Sequence, residues 1–425
     1  MLTQEENVML TRTGPGTPMG ELFRRFWMPA MLAEEVPGPD CDPKRLRLLN
    51  EDLIAFKDSE GKVGVVDAYC PHRGAPMFYG RNEESGLRCV YHGWKFDVSG
   101  TCTDLPNAPE GETFKNKVTI AAYSAVEAGG IIWVYMGPKD KQPPLPGLRF
   151  IGVPATHRYV WKIHLECNYF QSLEGDLDAS HANFLHNTLG DQSNNPRIGV
   201  RRADQASLLD LQPRYAIVED TDYGVMNVVT RSFGADKVRV NIGHFVMPAF
   251  TTAGSDPVVS QNNMRVPIDD THCMFWRVRF NPNEPLTEKE LWEAKHGGFL
   301  YPPLIPGTFT GVDNIHNDYN IDRVMQRNYN YSGIKSFSTQ DTALIEDQRG
   351  PIMDRTHERL VSSDESIIRV RRHVLKAARD LMEGKEPVAA SQPAGFAVRT
   401  AQFEIGLNDS LEAAVAGRMA AVGRA

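Results

Sequence analysis

The sequence predicts an α+β chain, a small all-β domain followed by a larger one in which helix lies over a curved antiparallel sheet. Three observations lead there. Short apolar runs separated by Gly, Pro, Asn and Asp fill the stretch from Leu46 to Met136, a spacing that suits a small antiparallel β domain. From Tyr159 to Phe280 the segments alternate apolar with polar residues, as half-buried strands do. Helical periodicity takes over after Leu286, most clearly from Asp364 to Glu383, where Ile367, Ile368, Val370, Val374, Leu375 and Ala378 recur at helical spacing.

At 425 residues, 41% of them hydrophobic, the chain can build a large core and divide in two. A formal charge of −8 and an isoelectric point near 5.9 give no electrostatic footprint for nucleic acid, and no polybasic run suggests a membrane surface. The N-terminus, Met-Leu-Thr-Gln-Glu-Glu-Asn, is acidic without an apolar signal core, and no apolar run approaches a bilayer span. A cytoplasmic protein is expected. Six cysteines are too sparse for a disulfide scaffold, so local spacing decides their role.

In chain order, residues 1–40 read as a lead-in, with a turn-forming Thr13-Gly-Pro-Gly-Thr-Pro18 and a short amphipathic piece from Glu21 to Trp27. Residues 41–140 form the β domain, with strands expected at Leu53 to Phe56, Val63 to Val66, Val118 to Ala122 and Gly130 to Tyr135. The proline- and glycine-rich run Gly137 to Gly147 is the linker or crossover. Residues 141–425 form the second domain, with strands at Tyr159 to Leu165, Tyr215 to Val218, Gly224 to Thr230, Lys237 to Ile242 and Cys273 to Phe280. Helices are expected from Leu286 to Lys295 with Thr287 as cap, Asp341 to Asp347, Asp364 to Glu383 and Leu411 to Val422.

One stretch stands apart. Asn168 to His186 carries ligand-capable side chains where a globular chain normally buries hydrocarbon. On a helix turning about 100° per residue, Gln171, Glu174, Asp178 and His181 fall in one arc with Asn168 at its margin. Tyr169, Phe170, Leu173 and Leu177 cover the other sides, so the polar stripe is expected to face an internal cavity.

Two loops of the β domain each supply a thiolate and an imidazole, Cys70-Pro-His72-Arg-Gly74 and Cys89-Val-Tyr-His92-Gly-Trp94. A tetrahedral zinc requires only four N/S ligands, but zinc sites more often keep cysteines in one pair and histidines in the other. A two-iron cluster explains the alternation: both cysteines bind one iron, both histidines the other, and neutral imidazoles raise the reduction potential. Gly74 and Gly93 allow tight loops, and Trp94 and Phe96 are placed to shield one side. A lone buried thiol or core histidine is the better reading for Cys41, Cys102, Cys167, Cys273, His157, His164 and His373. With both C-x-H and C-x-x-H halves in place, the stretch resembles the Rieske iron–sulfur proteins. Zinc is the alternative.

Asp178-x-x-His181-x-x-x-x-His186 offers two imidazoles and a carboxylate, a set that suits ferrous iron with open positions. Residues five apart in a regular helix point about 140° away from each other. Convergence therefore requires a distortion, expected between Ala182 and His186. By spacing alone, a core histidine plus a surface one competes with this reading.

A Rieske domain followed by this helix resembles the Rieske non-haem iron oxygenases, the aromatic-ring-hydroxylating family. The resemblance implies a helix-grip catalytic domain in which His181 and His186 hold iron and a C-terminal helix supplies the third ligand. Asp341 in Phe337-Ser-Thr-Gln-Asp-Thr-Ala-Leu-Ile-Glu346 is the best match, with Glu346 and Asp347 as rivals and a surface helix cap as the other role for Asp341. Asp178 is implied as a bridge between His181 and the partner subunit's His92, orienting both rings. That implies a homo-oligomer, a trimer or a hexamer of stacked trimers. NADH electrons are implied to arrive through a separate flavin and iron–sulfur reductase, with O2 as co-substrate and a cis-dihydrodiol as product.

Thr13-Gly-Pro-Gly-Thr-Pro18, Val266-Pro-Ile-Asp-Asp270, Asn317-Asp-Tyr-Asn-Ile-Asp322 and Gly350-Pro-Ile-Met-Asp-Arg355 resemble the phthalate dioxygenase branch. That favours an aromatic carboxylate substrate: a phthalate, phenoxybenzoate or chlorobenzoate. A carboxylate in a cavity needs a cationic partner, and Arg201, Arg202, Arg231, Arg239 and Arg265 are candidates, with Ser180 and His244 as polar lining. Three alternatives stand beside this reading: an O-demethylating monooxygenase of methoxybenzoates, a Rieske electron-transfer protein, and a ligand-binding module without mononuclear iron.

Overall fold

The computed structural model describes residues 2–109, 112–189, 213–255 and 259–420. Strands β1 (Trp27–Leu32), β2 (Lys44–Leu48), β3 (Glu51–Lys57), β4 (Val63–Asp67), β9 (Ala122–Ala128) and β10 (Ile131–Tyr135) form one antiparallel sheet in the order β1-β10-β9-β4-β3-β2. Its edge strand β1 lies inside the segment expected as lead-in, and Pro29 sits there at a bulge, where a missing N–H is tolerated. The amphipathic piece is a helix, Pro18–Phe23, capped by Thr17. Strands β5 (Arg81–Glu83), β6 (Gly86–Arg88), β7 (Lys95–Phe96) and β8 (Cys102–Asp104) form a second small sheet.

The apolar run Val118 to Ala122 is mostly loop, with one isolated bridge from Thr119 to Thr101. Val118 and Ile120 are buried in the core that also contains Cys70 and Cys89, so apolarity there marks burial under the small sheet. The strand begins at Ala122 and runs through the less apolar Tyr-Ser-Ala-Val-Glu-Ala.

The larger domain is built on β11 (Arg158–Leu165), β12 (Arg214–Thr221), β13 (Gly224–Phe233), β14 (Lys237–Val246), β15 (Phe250–Ser255), β16 (Val259–Pro267) and β17 (Cys273–Phe280). They run in the order β11-β17-β16-β15-β14-β13-β12, and β18 (Ala401–Gly406) adds to β14 where β15 has left it. The one curved antiparallel sheet is therefore present, with β15, β16 and β18 additional to the expected strands. On β15 and β16 apolar alternation is weak because the face under the helices is polar: Thr251 on β15 and Asn263 and Arg265 on β16 point at it, as does Arg277 on β17. Strand β18 does alternate, with Ala401, Phe403 and Ile405 packed on Val240 and Ile242.

Over that face lie two helices, Tyr169–Leu177 and Phe337–Glu346. Asn263 Nδ2 donates to Asp176 (2.8 Å), Arg265 Nε to Ser172 Oγ (3.2 Å) and Arg277 Nη1 to Ser338 Oγ (2.6 Å), so the polar floor fixes both helices. The long helix Glu365–Met382 buries Ile367, Val370, Val374, Leu375, Ala378 and Leu381. The Glu288–His296 helix begins at Thr287 with a reciprocal Glu290 cap, and the tail helix spans Leu411–Ala420. Among the described residues, no helix is long and apolar enough to cross a membrane.

Candidate active site

The two cysteine loops repeat one backbone pattern. Cys70 N–H donates to Ala75 O (2.8 Å) and Gly74 N–H returns to Cys70 O (2.9 Å); Cys89 N–H donates to Trp94 O (2.8 Å) and Gly93 N–H to Cys89 O (3.0 Å). Each turn needs left-handed backbone at its glycine, φ 69° at Gly74 and 80° at Gly93. Cys70 and Cys89 are each 2% exposed. The rings of His72 and His92 meet edge to face at 4.5 Å, and Trp94 stacks on His72 at 4.3 Å, its indole N–H held by Asn107 Oδ1 (2.8 Å).

These residues fit a two-iron cluster. His72 Nδ1 is buried without a hydrogen-bond partner, and burial, reinforced by the neighbouring Cys89, pushes the Cys70 thiol up to about 11. Thiolates form in such a place only against cations. A single zinc fits poorly: it gathers its donors around one point, and among the described residues the four Rieske positions supply no such group of three.

His181, His186 and Asp341 do form one, with donor atoms all within 4.8 Å of one another. The backbone reaches this arrangement differently from the single helix expected over Asn168 to His186. The helix Tyr169–Leu177 stops at Asp178, which is extended (φ −92°, ψ 114°), and a separate turn spans Ala182–Leu185. The main break is thus at Asp178 to Ser180, ahead of the segment between Ala182 and His186, where only the short turn ends. His181 and His186 flank that turn, their rings 5.2 Å apart at 73°.

Each ring is oriented from behind. His181 turns Nδ1 to Asp178 Oδ2 (3.5 Å) and Nε2 to Asp341 Oδ1 (3.4 Å). His186 directs Nδ1 at Gln340 Oε1 (2.8 Å) and stacks on Phe337 at 3.5 Å. Its Nε2 lies 3.0 Å from Asp341 Oδ1 yet is buried with no hydrogen bond. The three groups therefore point at a shared position more than at each other, as ligands of one ion do. Burial raises the Asp341 carboxyl, but the two imidazoles outweigh it and hold it far below the usual carboxylate range.

The polar stripe divides. Asn168 caps its helix, accepting from Phe170 N–H (3.1 Å) and donating to Thr11 O and Asp270 O. Gln171 donates to Ile345 O and accepts from Met353 N–H. Glu174 is buried between Arg355 (2.8 Å) and Arg371 (2.6 Å). These three hold structure together. Asp178 has a different place: Oδ1 accepts from the N–H (2.7 Å) and Oγ (2.6 Å) of Ser180. Burial pushes the Asp178 carboxyl up, but His181 and Ser180 outweigh it and bring it down to about 2. A cavity of about 480 Å³ opens over Gln171, Glu174, Asp178, His181 and Asp341.

Among the other candidates, Glu346 turns away to Tyr319 OH and Glu166 N–H, and Asp347 caps the helix end. Asp341 sits mid-helix, which removes the cap role. Both ring nitrogens of His244 are engaged, by Tyr223 OH and Arg399 O. Arg265 is paired with Asp176 and Arg239 with Glu404 (3.0 Å). Arg231 has no carboxylate partner among the described residues; it lines a smaller cavity over the sheet and lies directly across from Arg239. Arg201 and Arg202 lie outside the described residues. Sequence reasoning missed Gln340 and Phe337, although the i, i+3 and i+4 relation of Phe337, Gln340 and Asp341 on one helix was a usable signal. It also missed Asn183, whose buried amide has no partner for either atom, and Tyr215, described below.

Residues 26–123 match the Rieske [2Fe-2S] domain and residues 134–408 the family described as LigXa C-terminal domain like. The phthalate 4,5-dioxygenase oxygenase subunit of Pseudomonas putida is 36% identical over 403 residues, covering 93% of this chain and 90% of that protein. The 3-chlorobenzoate-3,4-dioxygenase oxygenase subunit of Comamonas testosteroni is 35% identical over 407 residues, 89% of each. The oxygenase in its reduced complex with ferredoxin in carbazole 1,9a-dioxygenase shares the fold at TM-score 0.56 and 17% identity, over 89% of this chain and 97% of that one. At such identity to the first two over nearly their whole length, the chain belongs to the Rieske oxygenases, which pair a [2Fe–2S] cluster with mononuclear iron and use O2 and NADH through a partner reductase.

Proposed function

We propose that this protein is a terminal oxygenase that adds O2-derived oxygen to an aromatic carboxylate to give a cis-dihydrodiol, on NADH electrons relayed by a separate flavin and iron–sulfur reductase. The observation that carries the reading is the convergence of His181, His186 and Asp341 on one position beside a cavity. Cys70, Cys89, His72 and His92 would hold the cluster, and His181, His186 and Asp341 the mononuclear iron. When bound, the cluster and the mononuclear iron supply one-electron transfer and oxygen activation.

The chain's own residues do the rest. Asp178 and Gln340 set which nitrogen of each imidazole faces the metal. Phe337 covers the inner face of His186 and keeps water from it. For the substrate carboxylate the candidate is Arg231, which lines the smaller cavity over the sheet and has no carboxylate partner among the described residues; Arg239, directly opposite on β14, stacks on Phe233 and is not among that cavity's lining residues. Glu404 compensates only Arg239. Both named full-length relatives act on ring carboxylates, phthalate and 3-chlorobenzoate.

Asp178 links His181 to the partner subunit's His92, which requires a homo-oligomer. Within one chain, no residue of the cluster loops lines the cavity at Asp178. The test is product analysis with reductase, NADH and a panel of phthalates, phenoxybenzoates, chlorobenzoates and methoxybenzoates. A cis-dihydrodiol from a ring carboxylate is expected. Formaldehyde from methoxybenzoate alone would reassign the chain as an O-demethylase, and cluster reduction without oxygen uptake as an electron carrier.

A further inference from the structure

The helix break at Asp178 leaves backbone groups that no helical partner satisfies, and the sheet below supplies the partners. Tyr215 on β12 reaches up with its hydroxyl, accepting from Ala179 N–H (2.9 Å) and donating to Leu177 C=O. Arg231 on β13 donates through Nη2 to Ala179 C=O (3.2 Å). The three backbone groups that flank Asp178 are thus held by two side chains of the sheet. Backbone groups at a helix break need such partners, so the sheet helps to decide where this turn sits.

Tyrosine suits the role because the clamp must donate to one group and accept from another two residues away, from a strand below the helix. A hydroxyl does both from a single atom. The strand is adapted for it: the β12–β13 register slips between Tyr215 and Ile217, and such a bulge re-aims the side chain beside it. Tyr215 also lines the same small cavity as Arg231.

We propose that Tyr215 is a positioning residue that fixes the Asp178 turn from the floor of the sheet, and that Arg231 ties this turn to the smaller cavity over the sheet, where it would meet an anion. The inference rests on the reading of Asp178 as the link between the two metal sites. A carboxylate drawn to Arg231 would shift its bond to Ala179 C=O, so occupancy of the sheet cavity is felt at Asp178 while Tyr215 keeps the turn in register.

The test compares Tyr215→Phe with Asp178→Asn and with Tyr223→Phe, a control that removes another buried tyrosine hydroxyl, the one bonded to His244. In the holoenzyme, Tyr215→Phe is expected to speed amide exchange of the Ala179 to His181 segment by about tenfold, and Tyr223→Phe to leave it unchanged. In the reconstituted enzyme, Tyr215→Phe should keep iron content, the cluster's visible spectrum and KM, while single-turnover reoxidation of the cluster slows by about tenfold and loses its response to substrate. Wild-type exchange and wild-type reoxidation in Tyr215→Phe overturn the proposal, as does loss of the mononuclear iron, which would make Tyr215 a support of the metal site only. If Asp178→Asn itself transfers electrons normally, the link reading has failed; if it is crippled and Tyr215→Phe is normal, only the clamp has.

Discussion

His186 and Asp341 show how few side chains define a candidate metal site once the geometry is fixed. The imidazole is fully enclosed, stacked on Phe337 and bonded at Nδ1 by Gln340, so Nε2 has one direction in which to point. Replacing His181 by Ala removes one of three donors and is expected to lower iron per chain by one, with the cluster's visible absorption unchanged; product formation by that variant would sink the ligand assignment. Gln340→Leu keeps all three donors and frees the ring of His186. Loss of such an orienting partner lowers metal affinity by about 10–100-fold, which competition with a chelator measures; affinity equal to wild type would show that stacking on Phe337 suffices.

The helix Tyr169–Leu177 is held by charges more than by its ends. Glu174 lies between Arg355 and Arg371, and Arg371 also grips Glu358 (2.5 Å), so three segments of the chain are tied together at one buried carboxylate. Burial raises the Glu174 carboxyl, but the two arginines outweigh it and hold it below the ordinary value. A carboxyl depressed in the folded state contributes stability above its unfolded pKa and loses it as pH falls through the folded value. Glu174→Gln is therefore expected to cost about 3–5 kcal/mol near neutrality, by the penalty for breaking a buried pair, with a gap to wild type that narrows on acidification. Urea midpoints at several pH values measure this; a gap independent of pH would mean that the ion pair contributes nothing.

The same elements show what could be read in advance. Strands with apolar alternation, such as β11, β13 and β17, were legible because one face of each is buried against hydrocarbon. Strand β16 was not, since Asn263 and Arg265 spend their polarity on Asp176 and Ser172. Of the candidate metal-site residues, type and spacing offered His181 and His186 only beside a competing core-histidine reading, and Asp341 came from the resemblance to the Rieske oxygenases, because its helix lies far along the chain. The break that lets His181 and His186 converge was misplaced because its cause is long-range: Tyr215 and Arg231 satisfy the turn from strands that follow it in the chain.

Among the described residues, exposed aromatic and aliphatic side chains gather in two places that matter for electron transfer. At the cluster tip Tyr69, Tyr79 and Tyr91 are 50–63% exposed, and around the Asp178 cavity Phe184, Tyr331 and Leu344 are 51–55% exposed. Patches of this kind mark interaction surfaces. If the tip of one copy meets the cavity of the next, the contact is heterologous and closes only as a ring. A mixing experiment separates this from transfer within one chain. Cys89→Ala leaves a copy with mononuclear iron and no cluster, and His181→Ala a copy with a cluster and no mononuclear iron; neither works alone. In randomly assembled 1:1 rings, a working cluster meets a working iron at one half times one half, or about a quarter, of the contacts. Dissociating, mixing and reassembling the two variants should thus restore about a quarter of wild-type turnover, while mixing without dissociation restores none. Transfer confined to one chain predicts no recovery in either case, because no copy in the mixture carries both metals.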